Sequence, residues 1–253
     1  PPEPQVESHA CKGSGFPPRA QPFRRTVPTE RSEINRSIRE GIRFLHECGF
    51  ALPPFAFWTL EDRDGREHEC DEIRRNALGW DITEFGPGNF GRDGLLLFTL
   101  RTGNWEEPAD RKTYCEKVMM GRAGQRCPMH FHWRKIEDII NRAGADLVLR
   151  LFNSDQEEQL NRESPVTVSL EGVRTELPPG ERVVLGAGQS IWPEEDISHE
   201  FRADGGPTLI GGASAVNDDA RDNRFAEPTG CLPEIEEDEP PLHYLCNECP
   251  PAG

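Results

Sequence analysis

The chain lacks any apolar run approaching the roughly 18 residues that a membrane-spanning helix requires, so no such helix is expected. Its opening residues also lack the apolar core of a secretory signal, and the expectation is a soluble, cytoplasmic protein. Concentrated positive charge is missing too. The formal net charge is -16 over 253 residues, and the doublets Arg24-Arg25 and Arg74-Arg75 are too short to form a basic patch. Such a surface repels phosphate backbones and anionic headgroups, which excludes nucleic acid and membrane as expected partners. A dense disulfide framework is absent. The eight cysteines are spread through the chain, several within apolar or helical patterns, so free thiols are expected. Cys246 and Cys249 have the spacing of a zinc or redox pair, but only His243 and Cys231 stand near them in sequence. A metal or redox role there is not expected. Repeats of about 20 to 50 residues are missing as well, which excludes a solenoid.

What is present divides unevenly. Residues 1–28 hold seven prolines and no periodic apolar pattern, and they are expected to form a flexible tail. From Thr29 the pattern changes. Ile34, Ile38, Ile42 and Leu45 recur at helical spacing, which predicts an amphipathic helix over 33–48, with Ser32 as its cap and Gly49 as its stop. Pro53-Pro54 blocks further helix, and a short helix over 71–78 is expected before a loop at Gly79-Trp80-Asp81. These elements make a helical preface over 29–93.

Leu95 to Leu100 opens a succession of β-like runs. They continue at Tyr114 to Met120, Met129 to Trp133, Asp146 to Phe152, Val166 to Leu170, Arg182 to Leu185, Ser190 to Trp192, His199 to Arg202 and Thr208 to Gly211. Gly, Pro, Asn and Asp clusters separate them at intervals of about 10 to 15 residues, as in a β-sandwich or barrel. A short helical turn is expected at Ile136 to Asn141. The reading is thus one mainly β domain over 29–253, with N-terminal helices, a barrel core over about 94–216 and a loop-rich acidic segment over 217–253. Its densest charge run, Pro233 to Pro240, reads as a solvated face.

Chemistry concentrates between Met129 and Glu137. Residues i and i+2 of a strand share a face, so His130 and His132 point the same way, and a turn or bulge after Trp133 returns Glu137 to them. His199 is the best candidate for a fourth ligand. Gly124, His130, His132, Glu137 and Gly144 match the spacing of the first cupin motif throughout. Gly188, Pro193 and His199 give a looser second motif, with Arg202 and Ala203 where it usually closes on Asn. Three neutral imidazoles and a carboxylate suit Mn, Fe, Co or Ni better than a closed structural zinc site. The expected fold is therefore a cupin, a double-stranded β-helix or jelly-roll barrel.

Longer strings carry a more specific likeness. Tyr114 to Lys117, Pro128 to Arg142, Pro165 to Arg174, Val216 to Asp219, Asp222 to Phe225 and Pro233 to Pro240 resemble the D-lyxose isomerase family of cupins, and the resemblance spans about residues 31–250. It implies a Mn-dependent aldose-ketose isomerase that interconverts D-lyxose and D-xylulose, and often D-mannose and D-fructose. Co2+ or another divalent transition metal is an alternative cofactor. The metal ligands it implies are His130, His132, Glu137 and His199. Two departures stand out: Ala143-Gly-Ala145 replaces a Gly-rich string, and Gly211-Gly-Ala-Ser214 replaces a Gly-Glu-Val-Ser string, which removes a carboxylate near the barrel mouth.

Moving a carbonyl from C1 to C2 through an enediol needs an acid and a base. Lys135, between two ligands, is the expected proton donor. The resemblance points to a glutamate of the 233–240 segment as base, and Glu234 is preferred over Glu236. Lys117 and Glu116 alternate on one strand, so one of them faces the interior. Lys117 is the expected sugar contact, joined by Gln125, Asp218, Asp222 and Arg224. Phe131, Trp133 and Trp192 are aromatic candidates for the pocket wall. A homodimer is expected, because barrel edges need covering. Two other readings share the ligands: an Fe-dependent cupin dioxygenase and a non-catalytic sugar-binding cupin.

Overall fold

The structure is a computed structural model that describes residues 29–85, 90–107, 110–219, 221–227 and 235–249. The Pro-rich stretch 1–28, Cys231 and Glu234 lie outside these residues.

The chain opens with the two-residue strand β1 (Thr29–Glu30) and the helix α1 (Arg31–Glu47). Ile34, Ile38 and Leu45 of α1 are almost wholly buried, which matches the helical spacing of the apolar residues. Each such side chain contributes about 2 kcal/mol on burial. Ser32 is not the cap. It lies inside the helix, and its N–H is met by the Asp238 carboxylate at 2.9 Å, so a distant segment supplies the acceptor that a local cap would. Gly49 does end the helix. At φ 70° it donates to His46 O, and Phe50 donates to Leu45 O, the paired bonds of a Schellman stop.

Two short helices follow, α2 (Leu60–Asp64) and α3 (Asp71–Arg75). The second is shorter than expected because Asn76 turns its side chain to Thr102 O and Asp110. The stretch expected as a loop is instead the strand β2 (Gly79–Thr83), paired along its length with β3 (Leu95–Thr102). Burial decides this: Trp80 is 1% exposed, with its ring edge-on to Phe98 at 5.0 Å.

The remaining strands are β4 (Tyr114–Gly121), β5 (Arg126–Phe131), β6 (Glu137–Ser154), β7 (Leu160–Asn161), β8 (Val166–Leu170), β9 (Val173–Leu177), β10 (Arg182–Leu185), β11 (Ser190–Trp192), β12 (Ile197–Ala215), β13 (Arg224–Phe225) and β14 (Ile235–Glu236). No helical turn forms at Ile136 to Asn141. Residues 137–141 begin the 18-residue strand β6, because Asp138 to Asn141 pair with Ala213 to Ile210 of β12. The two runs around His199 and Thr208 are likewise one strand of 19 residues, bent where the register shifts between Asp204 and Thr208.

That bend builds the barrel. The first half of β12 pairs with β5 and the second with β4, while β6 follows it throughout. One long antiparallel ladder thus belongs to both walls of a mainly β jelly roll. Two cores result. One fills the interior with Leu97, Met119, Ile139, Leu149 and Ile210; the other lies outside, where α1 covers Leu96, Phe98, Val118 and Met120. Leu95 to Leu100 reads as an apolar run interrupted only by Thr99 because both of its faces are covered. Gly144, at φ 92°, lies so close to Pro207 O that a Cβ would stand 2.4 Å from it, which explains the closing glycine of the first motif. Among the described residues no helix is long and apolar enough to cross a membrane.

Candidate metal centre

His130 on β5 is directly opposite His199 on β12, so the ladder register brings together residues 69 positions apart. Glu137 opens β6, and His132 follows the end of β5. One ligand atom from each of His130, His132, Glu137 and His199 lies within 4.8 Å of the others, and all four residues are buried. Glu137 Oε1 is 3.2 Å from His132 Nε2 and 3.3 Å from His199 Nε2.

Each imidazole is held by its other nitrogen. Nδ1 of His130, His132 and His199 lies 2.8, 2.9 and 3.1 Å from the carbonyls of Pro128, Asp222 and Ile197. A carbonyl only accepts, so each Nδ1 carries a proton, and in a neutral ring Nε2 then presents the lone pair. Burial first, then the neighbouring histidines, lowers the His130 pKa well below its ordinary value. Burial and the Lys135 charge lower His132. Burial opposes ionisation of Glu137, but the neighbouring Lys135 and His132 hold it well below the carboxylate range. Two imidazoles biased toward the neutral form, His130 and His132, and an anionic carboxylate therefore converge with His199. His199 Nε2 is buried without any hydrogen-bond partner, an arrangement that a bound cation satisfies. This donor set fits a divalent metal ion.

Two lysines stand beside it. Lys135 Nζ is 3.1 Å from Glu137 Oε2 and donates to Asn217 Oδ1 at 3.0 Å. Lys117 faces the interior, as expected of its strand position, and reaches the same Oδ1 at 3.2 Å. Its ammonium is 3.8 Å from Asp219. Burial opposes charge on Lys117, but Asp219 and Glu137 raise its pKa. Asn217 and Asp219 were not singled out in the sequence, although the string Val216 to Asp219 contains them; nothing local separates Asp219 from Asp218.

The other expected residues have different places. Asp222 accepts the N–H groups of Arg134 and Lys135, both at 2.9 Å, and so shapes the turn between His132 and Glu137. Gln125 is not brought to the cluster; its amide accepts from Arg122 N and donates to Phe90 O. Asp218 faces Arg221 at 3.8 Å in a surface turn. Arg224 binds Glu158, which also accepts from the Trp133 indole. Phe225, missed in the sequence, stacks on His130 at 5.3 Å. Trp192 is 37% exposed, and Phe131 is buried against Trp133. A Cβ on Gly212 would lie 3.1 Å from Lys117 Cγ, so the lysine stem runs past the position where the relatives' glutamate is expected. Cys246 and Cys249 are free, and neither belongs to a group of metal-type donors among the described residues.

A jelly-roll barrel whose facing strands converge three histidines and a glutamate is a cupin with a metal-type centre. The chain belongs to the D-lyxose isomerase family, whose profile matches residues 29–249. It is 42% identical over 224 residues to the D-lyxose/D-mannose isomerase of Serratia proteamaculans, which covers 86% of this chain and 96% of that protein. With the enzyme of the same name from Escherichia coli O157:H7 the identity is 40% over 222 residues, covering 87% and 97%. A solved mutant L-ribose isomerase of Acinetobacter sp. DL28, in complex with L-ribose, shares the fold, with a TM-score of 0.56 and 15% identity over 83% of this chain and 99% of that one.

Proposed function

We propose that the protein is an aldose-ketose isomerase that interconverts D-lyxose with D-xylulose and D-mannose with D-fructose. The observation that carries this reading is the buried His130, His132, Glu137 and His199 group beside two lysines, in a chain of this family. Mn2+ is the proposed resident metal, with Co2+ able to replace it, since mixed imidazole and carboxylate donors accept either. When bound, the ion supplies Lewis acidity to the oxygens of the sugar.

Isomerisation moves one proton from C2 to C1 and another from O2 to O1. Glu234, which lies outside the described residues, is the proposed base, and among the described residues Asp219 is a carboxylate at the Lys117 ammonium. In this reading Glu234 takes the C2 proton and returns it to C1, while Asp219 holds the Lys117 ammonium. Lys135, oriented by Asn217 and Glu137, donates to O1, where negative charge develops, and is restored by the proton that leaves O2. Asp222 holds the backbone of Lys135 and thereby its reach. The alternatives of an Fe dioxygenase and a sugar-binding cupin have no specific feature in their favour here.

A homodimer in the cytoplasm completes the proposal. Tyr114, Ile136 and Trp192, 49%, 41% and 37% exposed, border an outer hollow floored by Gly211 and Ala213, a surface suited to a second copy. Light scattering on the purified chain tests this.

The activity is tested by incubating Mn-loaded protein anaerobically with D-lyxose and D-mannose and assaying ketose. D-xylulose and D-fructose are expected. Failure to form ketose from any pentose or hexose with Mn, Co, Ni or Fe, together with oxygen consumption on a phenol or diketone, would replace the reading with an oxygenase.

A further inference from the structure

The metal-type group has an apolar neighbour on its own ladder. His199 on β12 is opposite His130 on β5, and His130 is opposite Phe225 on β13, so the three form one rung across adjacent strands. Opposed residues of antiparallel strands share a face. Phe225 therefore points to the inner face of the barrel, as the ligands do. Its ring stacks on the His130 imidazole, with centroids 5.3 Å apart and 28° between the planes. The Ala226 N–H donates to Met129 O at 2.9 Å and fixes the short strand that carries it.

A second phenyl ring backs the first. Phe85, two residues past the end of β2, touches Phe225 at 5.6 Å and packs against the interior core. Its φ of 48° lies in the left-handed region, which a bulky side chain rarely occupies. Strain of that kind persists only where surrounding contacts over-determine it, and it clusters at functional sites. Both rings are half-buried, whereas the four ligands are buried, so the rings reach from the ligands toward solvent. They do so on the side where β13 has no further strand neighbour among the described residues. The flank at Glu137 is cationic instead, with Lys135 Nζ 3.1 Å from its Oε2. One group of ligands thus has a polar and an apolar flank, the mixture that small-molecule sites present.

We infer that Phe225, backed by Phe85, is a sugar-binding wall that receives the C–H surface of the substrate's carbon chain. The inference rests on the isomerase reading, since a sugar held at His130 and His199 has Phe225 as its next neighbour along the rung. Stacking between His130 and Phe85 holds the ring before any sugar arrives, so little side-chain freedom is lost on binding. A phenyl ring carries no proton to transfer. It contributes to holding the sugar equally before and during reaction, and such uniform binding is read in KM with kcat unchanged.

The test is Phe225→Ala in the full chain at saturating Mn2+. KM and kcat are measured for D-lyxose and D-mannose. Calorimetry gives the Kd of D-arabinitol and D-mannitol, the corresponding polyols, which have no carbonyl to isomerise. KM and both polyol Kd values are expected to rise about tenfold, while kcat holds. Phe225→Leu keeps apolar bulk without the ring, so it is expected to fold even where the alanine variant does not, and to weaken both polyols about threefold. Polyol Kd values equal to the parent's in the folded variants would overturn the inference, whatever happens to Mn2+ affinity, and would leave the ring as a support of His130. A parent that binds neither polyol would overturn it too. If the parent makes no ketose from any sugar, the isomerase reading fails, and the polyol titrations still decide whether the ring holds a sugar.

Discussion

His132 Nε2 and Glu137 Oε1 face each other at 3.2 Å, while His132 Nδ1 is occupied by the Asp222 carbonyl at 2.9 Å. In the neutral ring this directs a lone pair at a carboxylate. Two acceptors at that distance repel unless a cation lies between them. His130→Ala and Glu137→Ala should each abolish both metal content, read by mass spectrometry, and turnover. Mn2+ at about 100 times its Kd should stabilise the parent by about 2.7 kcal/mol in thermal melts and leave these variants unmoved. Full turnover in a variant shown to hold no metal would defeat the assignment.

Lys135→Ala should keep the metal and lower kcat by about 10² or more, since the ammonium at Asn217 and Glu137 is the proposed proton donor. Unchanged kinetics would return Lys135 to a purely electrostatic role beside Glu137.

Asp222→Ala removes both acceptors that hold the 134–135 backbone but leaves the carbonyl that orients His132. Metal affinity should fall about tenfold, as for other groups that orient ligands. Competition with a chelator measures it, and an unaltered affinity would show that the turn holds its shape unaided.

Acid should destabilise the metal-free protein. His130 and His132 have folded pKa values below 6.5, so under that pH the unfolded chain binds protons that the folded one refuses. Stability then falls as pH falls, by at most about 1.4 kcal/mol per pH unit for each imidazole. Glu137 adds to the loss below 4.5. Asp81 acts oppositely between 3.8 and about 7, because there the folded state binds the extra proton. Two imidazoles outweigh one carboxyl, and melts of metal-free Asp81→Asn from pH 7 to 5 should show the steeper decline. Flat melting temperatures in both proteins would contradict the assignment of neutral histidines.

Gly144→Ala should cost about 1–3 kcal/mol, since its left-handed φ disfavours a side chain and its Cβ would meet the Pro207 carbonyl. The denaturation midpoint reads this. A midpoint equal to that of the parent would show that the β6 bend tolerates a methyl group.

Much of this architecture is legible in one dimension. The spacing of Ile34, Ile38 and Leu45 predicts α1, and the run from Leu95 to Leu100 predicts a strand. The readings that fail share a cause. Gly79 to Asp81 and Ile136 to Asn141 look like a loop and a turn locally, yet each is drawn into the ladder by partners more than a dozen residues away. Ser32 looks like a cap, but Asp238 supplies the acceptor.

The sequence by itself picked out the candidate ligand set, because strand alternation places His130 and His132 on one face within a few residues, and the flanking strings carry the family. Only the tertiary structure decided which polar groups surround that set. It separated Asp219 from Asp218, turned Asp222 to the backbone and spent Gln125 on a distant turn. The physical reason is that alternation along a strand is a local property, whereas convergence across strands depends on ladder register and on the bend of β12, which many distant contacts set together.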